Sequence, residues 1–232
     1  MEIEKLTLPI LGKKLLPNFD SKEFVEWAVT VLGSGKNSES LSILAGLDHD
    51  SQEIREKYFL KTIDELKINI GKSDIQLIEN YVFHLSNQVI SGNISPREGL
   101  KIMQDVVVAT DYSSKYIQFF DVDEDLSHLT YSGRTLFNSN LHENNIEEFI
   151  RKEFELFLLL EKENIDRFSY FDKAFCNDCD QIMKPELKTK FQLKQPFKYQ
   201  AWACEKCNSE KIDMFRSQIG KVKILNKINS NV

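Results

Sequence analysis

A mainly α fold with a small β-rich piece at its C-terminal end is what this 232-residue chain predicts. Three observations point there. Apolar residues recur at three- and four-residue spacing behind capping residues through positions 1–165. The only four cysteines fall as two CxxC pairs, Cys176-Asn-Asp-Cys179 and Cys204-Glu-Lys-Cys207, among short alternating segments. Charge divides along the same line: residues 1–170 hold 18 Lys/Arg against 29 Asp/Glu, a net of −11, while residues 171–232 hold 12 against 7, a net of +5. The sequence therefore reads as a multi-helix domain over 1–165 followed by a small cysteine-bearing domain over 166–232.

The helical elements are justified in turn. Asp20-Ser-Lys-Glu23 has the form of an N-terminal cap, and Phe24, Ala28, Val31 and Leu32 follow on one face until Gly33-Ser-Gly35. Ser38 opens a short helix carrying Leu41, Leu44 and Ala45. Asp50-Ser-Gln-Glu53 begins another, with Ile54, Tyr58, Phe59, Ile63 and Leu66. Ser73 caps a stripe of Ile78, Tyr81, Val82, Leu85 and Val89 that stops at Gly92. Ser95-Pro-Arg-Glu98 is the most explicit start signal, with Ser95 as cap, Pro96 in the first turn and Glu98 reaching back. Leu100, Met103, Val106 and Val107 form its apolar face. Residues 121–145 read as a long irregular connection, and Asn145 to Glu163 as a strong helix through Phe149, Ile150, Phe154, Phe157 and Leu160. Six or seven helices are expected before residue 165.

In the tail, Phe197-Lys-Tyr-Gln-Ala-Trp-Ala203 alternates bulky and polar residues and runs into the second CxxC pair, while Lys211–Phe215 leaves it. Phe168–Phe171 and Ala174-Phe175 are expected to be extended and to lead into the first pair. A CxxC turn aims two thiolates at one point, and two such turns complete the tetrahedron that zinc accepts. The spacing thus predicts one structural Zn²⁺ held by Cys176, Cys179, Cys204 and Cys207, with no coordination position left for water or substrate. Disulfides or a redox pair, and a catalytic zinc or an iron–sulfur cluster, are the alternatives. Met1-Glu-Ile-Glu-Lys-Leu does not have the form of a secretory leader and no βαβ setting surrounds either pair, so a cytoplasmic, reduced protein is expected.

Residues 168–216 resemble zinc-ribbon and related four-cysteine knuckle domains. The likeness implies two knuckles on a small antiparallel sheet and a bound zinc ion, without implying an activity. Residues 73–110, most visibly Tyr81–Leu100, resemble small helical bacterial proteins of the immunity type. That likeness implies a protein partner, a basic toxin or nuclease.

Catalytic patterns do not emerge. Asp121-Val-Asp-Glu-Asp125 has carboxylates at the spacing of a calcium loop, but Leu126 and Ser132 occupy the positions that need Gly and an acid. A solvated acidic loop is expected instead. His49, His84, His128 and His142 belong to no metal or acid–base motif, and His84 is expected to be a partly buried structural residue. There is no GxxxxGK[ST], GxGxxG or GxSxG sequence. The longest apolar run, Leu156–Leu160, is too short for a bilayer span.

Two readings of function remain. In the first the chain is a non-enzymatic module whose acidic helical domain, with 121–125 as its loop, binds a basic protein. In the second it is a nucleic-acid-associated regulator using the basic tail, where Phe191, Phe197, Tyr199, Trp202 and Phe215 lie among lysines. For those aromatics, service as cover for a small core is the expected role.

Overall fold

Capping side chains open several helices where the sequence expects them. In the computed structural model, which describes residues 3–230, the Leu41 amide donates to Ser38 Oγ (3.2 Å) and the Glu98 amide to Ser95 Oγ (3.2 Å). Ser73 and Gln76 form a reciprocal box, each amide donating to the other's side chain. Asp20 accepts from the Lys22 amide in the turn before its helix, which begins at Glu23.

The chain divides into two units, Met1–Gln88 with Val108–Thr110, and Val89–Val107 with Asp111–Val232. The first unit contains α1 (Ile3–Lys14), α2 (Glu23–Gly33), α3 (Glu39–Leu44), α4 (Gln52–Glu65) and most of α5 (Asp74–Ile90). Its core is aromatic: Phe24 stacks on Phe59 at 4.2 Å and Trp27 meets Phe59 edge-on at 4.9 Å. Trp27 Nε1 donates to Thr7 Oγ1, which satisfies the one polar atom of the indole. Helix α1 contains Pro9. It lies close on α5 because Gly12 has no Cβ; one placed there would be 2.7 Å from Tyr81 Cβ.

The second unit holds most of α6 (Pro96–Ala109), then α7 (Ile117–Ser132), a 3₁₀ turn at Glu143–Asn145, α8 (Ile146–Lys162), α9 (Arg167–Tyr170), five short strands and α10 (Gln218–Asn229). Strands β1 (Ala174–Cys176), β2 (Ile182–Met183) and β5 (Ile212–Met214) form an antiparallel sheet in the order β2-β1-β5. Strands β3 (Glu186–Phe191) and β4 (Lys198–Ala203) form a separate hairpin. The architecture is mainly α with a strand-rich C-terminal region that holds the cysteines, as the sequence predicts. Among the described residues, no helix is long and apolar enough to cross a membrane.

Three expectations fail. Residues 121–125 are not a loop: they lie within α7, which Gly133 ends in a left-handed cap at φ 67°. Its buried face runs Phe119, Val122, Asp125, Leu129, so a carboxylate occupies a core position and interrupts the apolar stripe. Phe168–Phe171 is helical rather than extended, because Asp166 caps α9 by accepting from the Phe168 amide. Finally, His84 lies on the exposed side of α5, with only enough cover for burial to lower its pKa.

Buried polar groups knit the second unit together. Asp125 accepts from the amides of Phe137 and Asn138 and from Asn138 Nδ2 (2.9, 2.9 and 2.8 Å). Asn138 Oδ1 in turn accepts from the Gln218 amide at the start of α10. Gln218 Nε2 donates to Phe149 O and to Glu153, and Glu153 pairs with Lys221 in the interior. Leu156 and Leu160 of α8 share a core with Phe175, Phe215, Ile224 and Leu225. The cysteine-bearing strands therefore rest on α8 and α10.

Candidate metal centre

The two CxxC turns have the same build. In the first, the Cys176 amide donates to Gln181 O (2.9 Å) and the Asp180 amide donates back to Cys176 O (3.0 Å). In the second, the Cys204 amide donates to Ser209 O (2.8 Å) and the Asn208 amide to Cys204 O (3.0 Å). Asp180 and Asn208 are both left-handed, at φ 56° and 61°. Asp and Asn are the residues other than Gly that enter this region most readily. Each pair thus reads C-x-x-C-[DN], a signal that the CxxC spacing alone passes over. Neither pair starts a helix, as a thioredoxin-type dithiol would.

Side chains lock one turn to the other. Ser209 Oγ donates to Asp178 Oδ2 (2.7 Å), and Lys206 Nζ donates to Gln181 Oε1 (3.2 Å). The Asn177 amide donates to Lys211 O (2.9 Å). The result brings all four Sγ atoms within 4.8 Å of one another, with Cys176–Cys207 at 3.5 Å and Cys179–Cys204 at 3.6 Å. A disulfide needs about 2.05 Å, so these are free thiols. Four sulfurs about 2.3 Å from one ion would stand about 3.8 Å apart, so the cluster has the dimensions of a tetrahedral site. Cys176 and Cys204 are buried beside Ala174 and Met183, Cys179 is partly covered and Cys207 is exposed.

Electrostatics point the same way. Burial opposes ionisation of Cys204, but the amides of Cys207 and Lys206, together with the neighbouring thiols, outweigh it and bring the thiol down to about 7. Cys179 is pushed up to about 12, first by burial and then by the thiols of Cys176, Cys207 and Cys204. Crowded thiols resist becoming a second and third anion; a divalent cation among them removes that resistance.

The other sequence candidates are not brought together. His49, His84, His128 and His142 are all exposed, on separate segments. Asp121 and Asp125 are buried and bonded within the second unit. A surface cavity of about 270 Å³ is lined in part by Lys115, Glu161 and Arg167. Glu161 takes an ion pair from each of these cations, and with Asp166 on the same wall the formal charges balance.

The tail aromatics are where the expected role fails most clearly. Phe191, Phe197 and Trp202 are 77%, 59% and 55% exposed, so they cover no core. Tyr199 is half-buried, donating to Glu210 (3.0 Å), and Phe215 alone is fully buried. Compared with protein-family models, curated proteins and solved structures, the chain matches none of them.

Proposed function

We propose that the chain is a non-catalytic binding module, and that Cys176, Cys179, Cys204 and Cys207 hold one structural zinc ion that fixes its recognition hairpin. The observation that carries this reading is the closed four-thiol cluster at the base of β4. Ala203, the last residue of β4, is followed directly by the ligand Cys204, so the ion would anchor the hairpin where it leaves the knuckle. Four sulfur donors fill a tetrahedral ion and leave no site for substrate. Zinc suits this donor set, and a multi-iron cluster, whose thiolates bind different irons, would hold the sulfurs further apart. The knuckle-and-sheet layout also agrees with the zinc-ribbon likeness of residues 168–216.

In this reading recognition belongs to the cysteine-bearing region. The competing view, in which an acidic helical domain neutralises a basic toxin in the manner of an immunity protein, retains the −11 charge of residues 1–170 as its support. Two of the four carboxylates it draws on in 121–125 are not free for a partner, because Asp121 and Asp125 are committed to Arg216 and to residues 136–138.

Hydrogen exchange on the zinc-loaded and chelator-treated full chain tests the proposal. Zinc in such modules contributes on the order of 10 kcal/mol to folding. Removing it should release amide protection throughout residues 174–215 and leave α2 and α4 protected. Unchanged protection in 174–215 after metal removal would contradict it.

A further inference from the structure

The β3–β4 hairpin has two chemically distinct faces, because side chains alternate along each strand. The pairing register is Leu187 with Trp202, Lys188 with Ala201, Thr189 with Gln200, Lys190 with Tyr199 and Phe191 with Lys198. One face is engaged. Lys188 Nζ donates to Asn208 Oδ1 (2.5 Å), Lys190 Nζ to Asn208 O (2.8 Å), and Tyr199 to Glu210. Every residue of the opposite face, namely Leu187, Thr189, Phe191, Lys198, Gln200 and Trp202, is exposed.

From this we infer that the exposed face of the hairpin is a platform for single-stranded nucleic acid, an inference that rests on the proposed metal centre at its base. Large aromatic rings left in water call for a partner. Trp202 and Phe191 stand at opposite ends of the face, and Phe197 follows in the connection. The face bears no carboxylate, and residues 186–203 hold four lysines against Glu186 alone. Lys198 Nζ lies over the Phe191 ring, 5.9 Å from its centre, so a base stacking there would displace the ammonium toward its own phosphate. Exposed Lys194 adds a second cation in the connection.

A base stacks on an aromatic ring while its phosphate meets the adjacent ammonium, and this pairing tolerates any sequence. A duplex keeps its bases stacked on one another and has no free face to offer these rings. A basic protein would be repelled. The −11 charge of residues 1–170 repels phosphates as well, which limits the footprint to the hairpin.

The test uses the full zinc-loaded chain, with fluorescence anisotropy of labelled oligo-dT, oligo-U and a duplex of equal length. Single strands should bind and the duplex should bind more weakly. Trp202→Ala should weaken single-strand binding about tenfold, the value of one lost stacking contact. With Lys194 and Lys198 as the phosphate contacts, log K should fall with log salt at a slope of about −1.4, and the Lys194→Gln, Lys198→Gln double variant should flatten it.

Absence of binding at low salt overturns the inference. So does equal binding of duplex with no effect of Trp202→Ala. So does self-association, or capture of an acidic protein, through Trp202 in place of oligonucleotide binding. Zinc measured on the same samples separates the two levels: one ion per chain without binding removes the platform alone, and no ion removes the centre beneath it.

Discussion

Arg216 grips Asp121 through two hydrogen bonds, Nε to Oδ2 at 3.0 Å and Nη2 to Oδ1 at 2.5 Å, while its guanidinium faces the rings of Phe137 (4.5 Å) and Phe171 (4.9 Å). This joins α7 to the segment between β5 and α10. Removing the cation strands a buried carboxylate. Arg216→Ala should therefore cost about 2 kcal/mol in urea unfolding. Asp121→Asn should cost less, because an amide keeps an acceptor and escapes the desolvation of a charge.

Lys221 and Glu153 are a second pair, both fully buried. Lys221→Met leaves Glu153 charged with only the amide of Gln218, and should destabilise by about 3–5 kcal/mol. The Lys221→Met, Glu153→Leu double variant should cost less than the single one, since it removes both buried charges. Urea midpoints of the three proteins read this directly. A double variant worse than the single would contradict this, and one less stable than the parent would mean that the pair contributes net stability.

Acid should act in opposite directions at two carboxylates. Burial pushes Glu161 up, but the hydrogen bonds and charges of Lys115 and Arg167 outweigh it and hold the group below its ordinary value of 4.5. Its stabilising contribution is complete above 4.5 and is lost as pH falls through the lowered value. Asp121 is raised above 3.8 by burial in spite of Arg216. Its contribution therefore declines as pH rises from 3.8 through the raised value, and is level above that. Glu161→Gln should flatten part of the loss of stability in acid, and Asp121→Asn should steepen it. Denaturant midpoints across this range compare each variant with the parent, so metal loss common to all cancels.

How far the sequence was legible depends on what each residue announces. Ser38, Ser73 and Ser95 signal helix starts through bonds made within three residues, so local pattern suffices. Helix α1 is not legible locally because Pro9 and Gly12 break its pattern, while it packs on α2, where Thr7 accepts from Trp27, and on Leu77 and Tyr81 far along the chain. Helix α7 reads as a loop because Asp121 and Asp125 look solvated until Arg216 and Asn138 are brought to them across 95 and 13 residues. The cysteines were legible because their chemistry is local: each CxxC turn closes on itself. Exposure of Trp202 and Phe191 was hidden, since alternation within a hairpin says that two faces differ and not which face is covered.

Elemental analysis with thiol titration on the purified full chain tests the central claim most directly. The account predicts one zinc per chain, with Cys176, Cys179, Cys204 and Cys207 unreactive until a chelator is added. A metal-free protein with four reactive thiols, or one carrying iron in zinc's place, would contradict it.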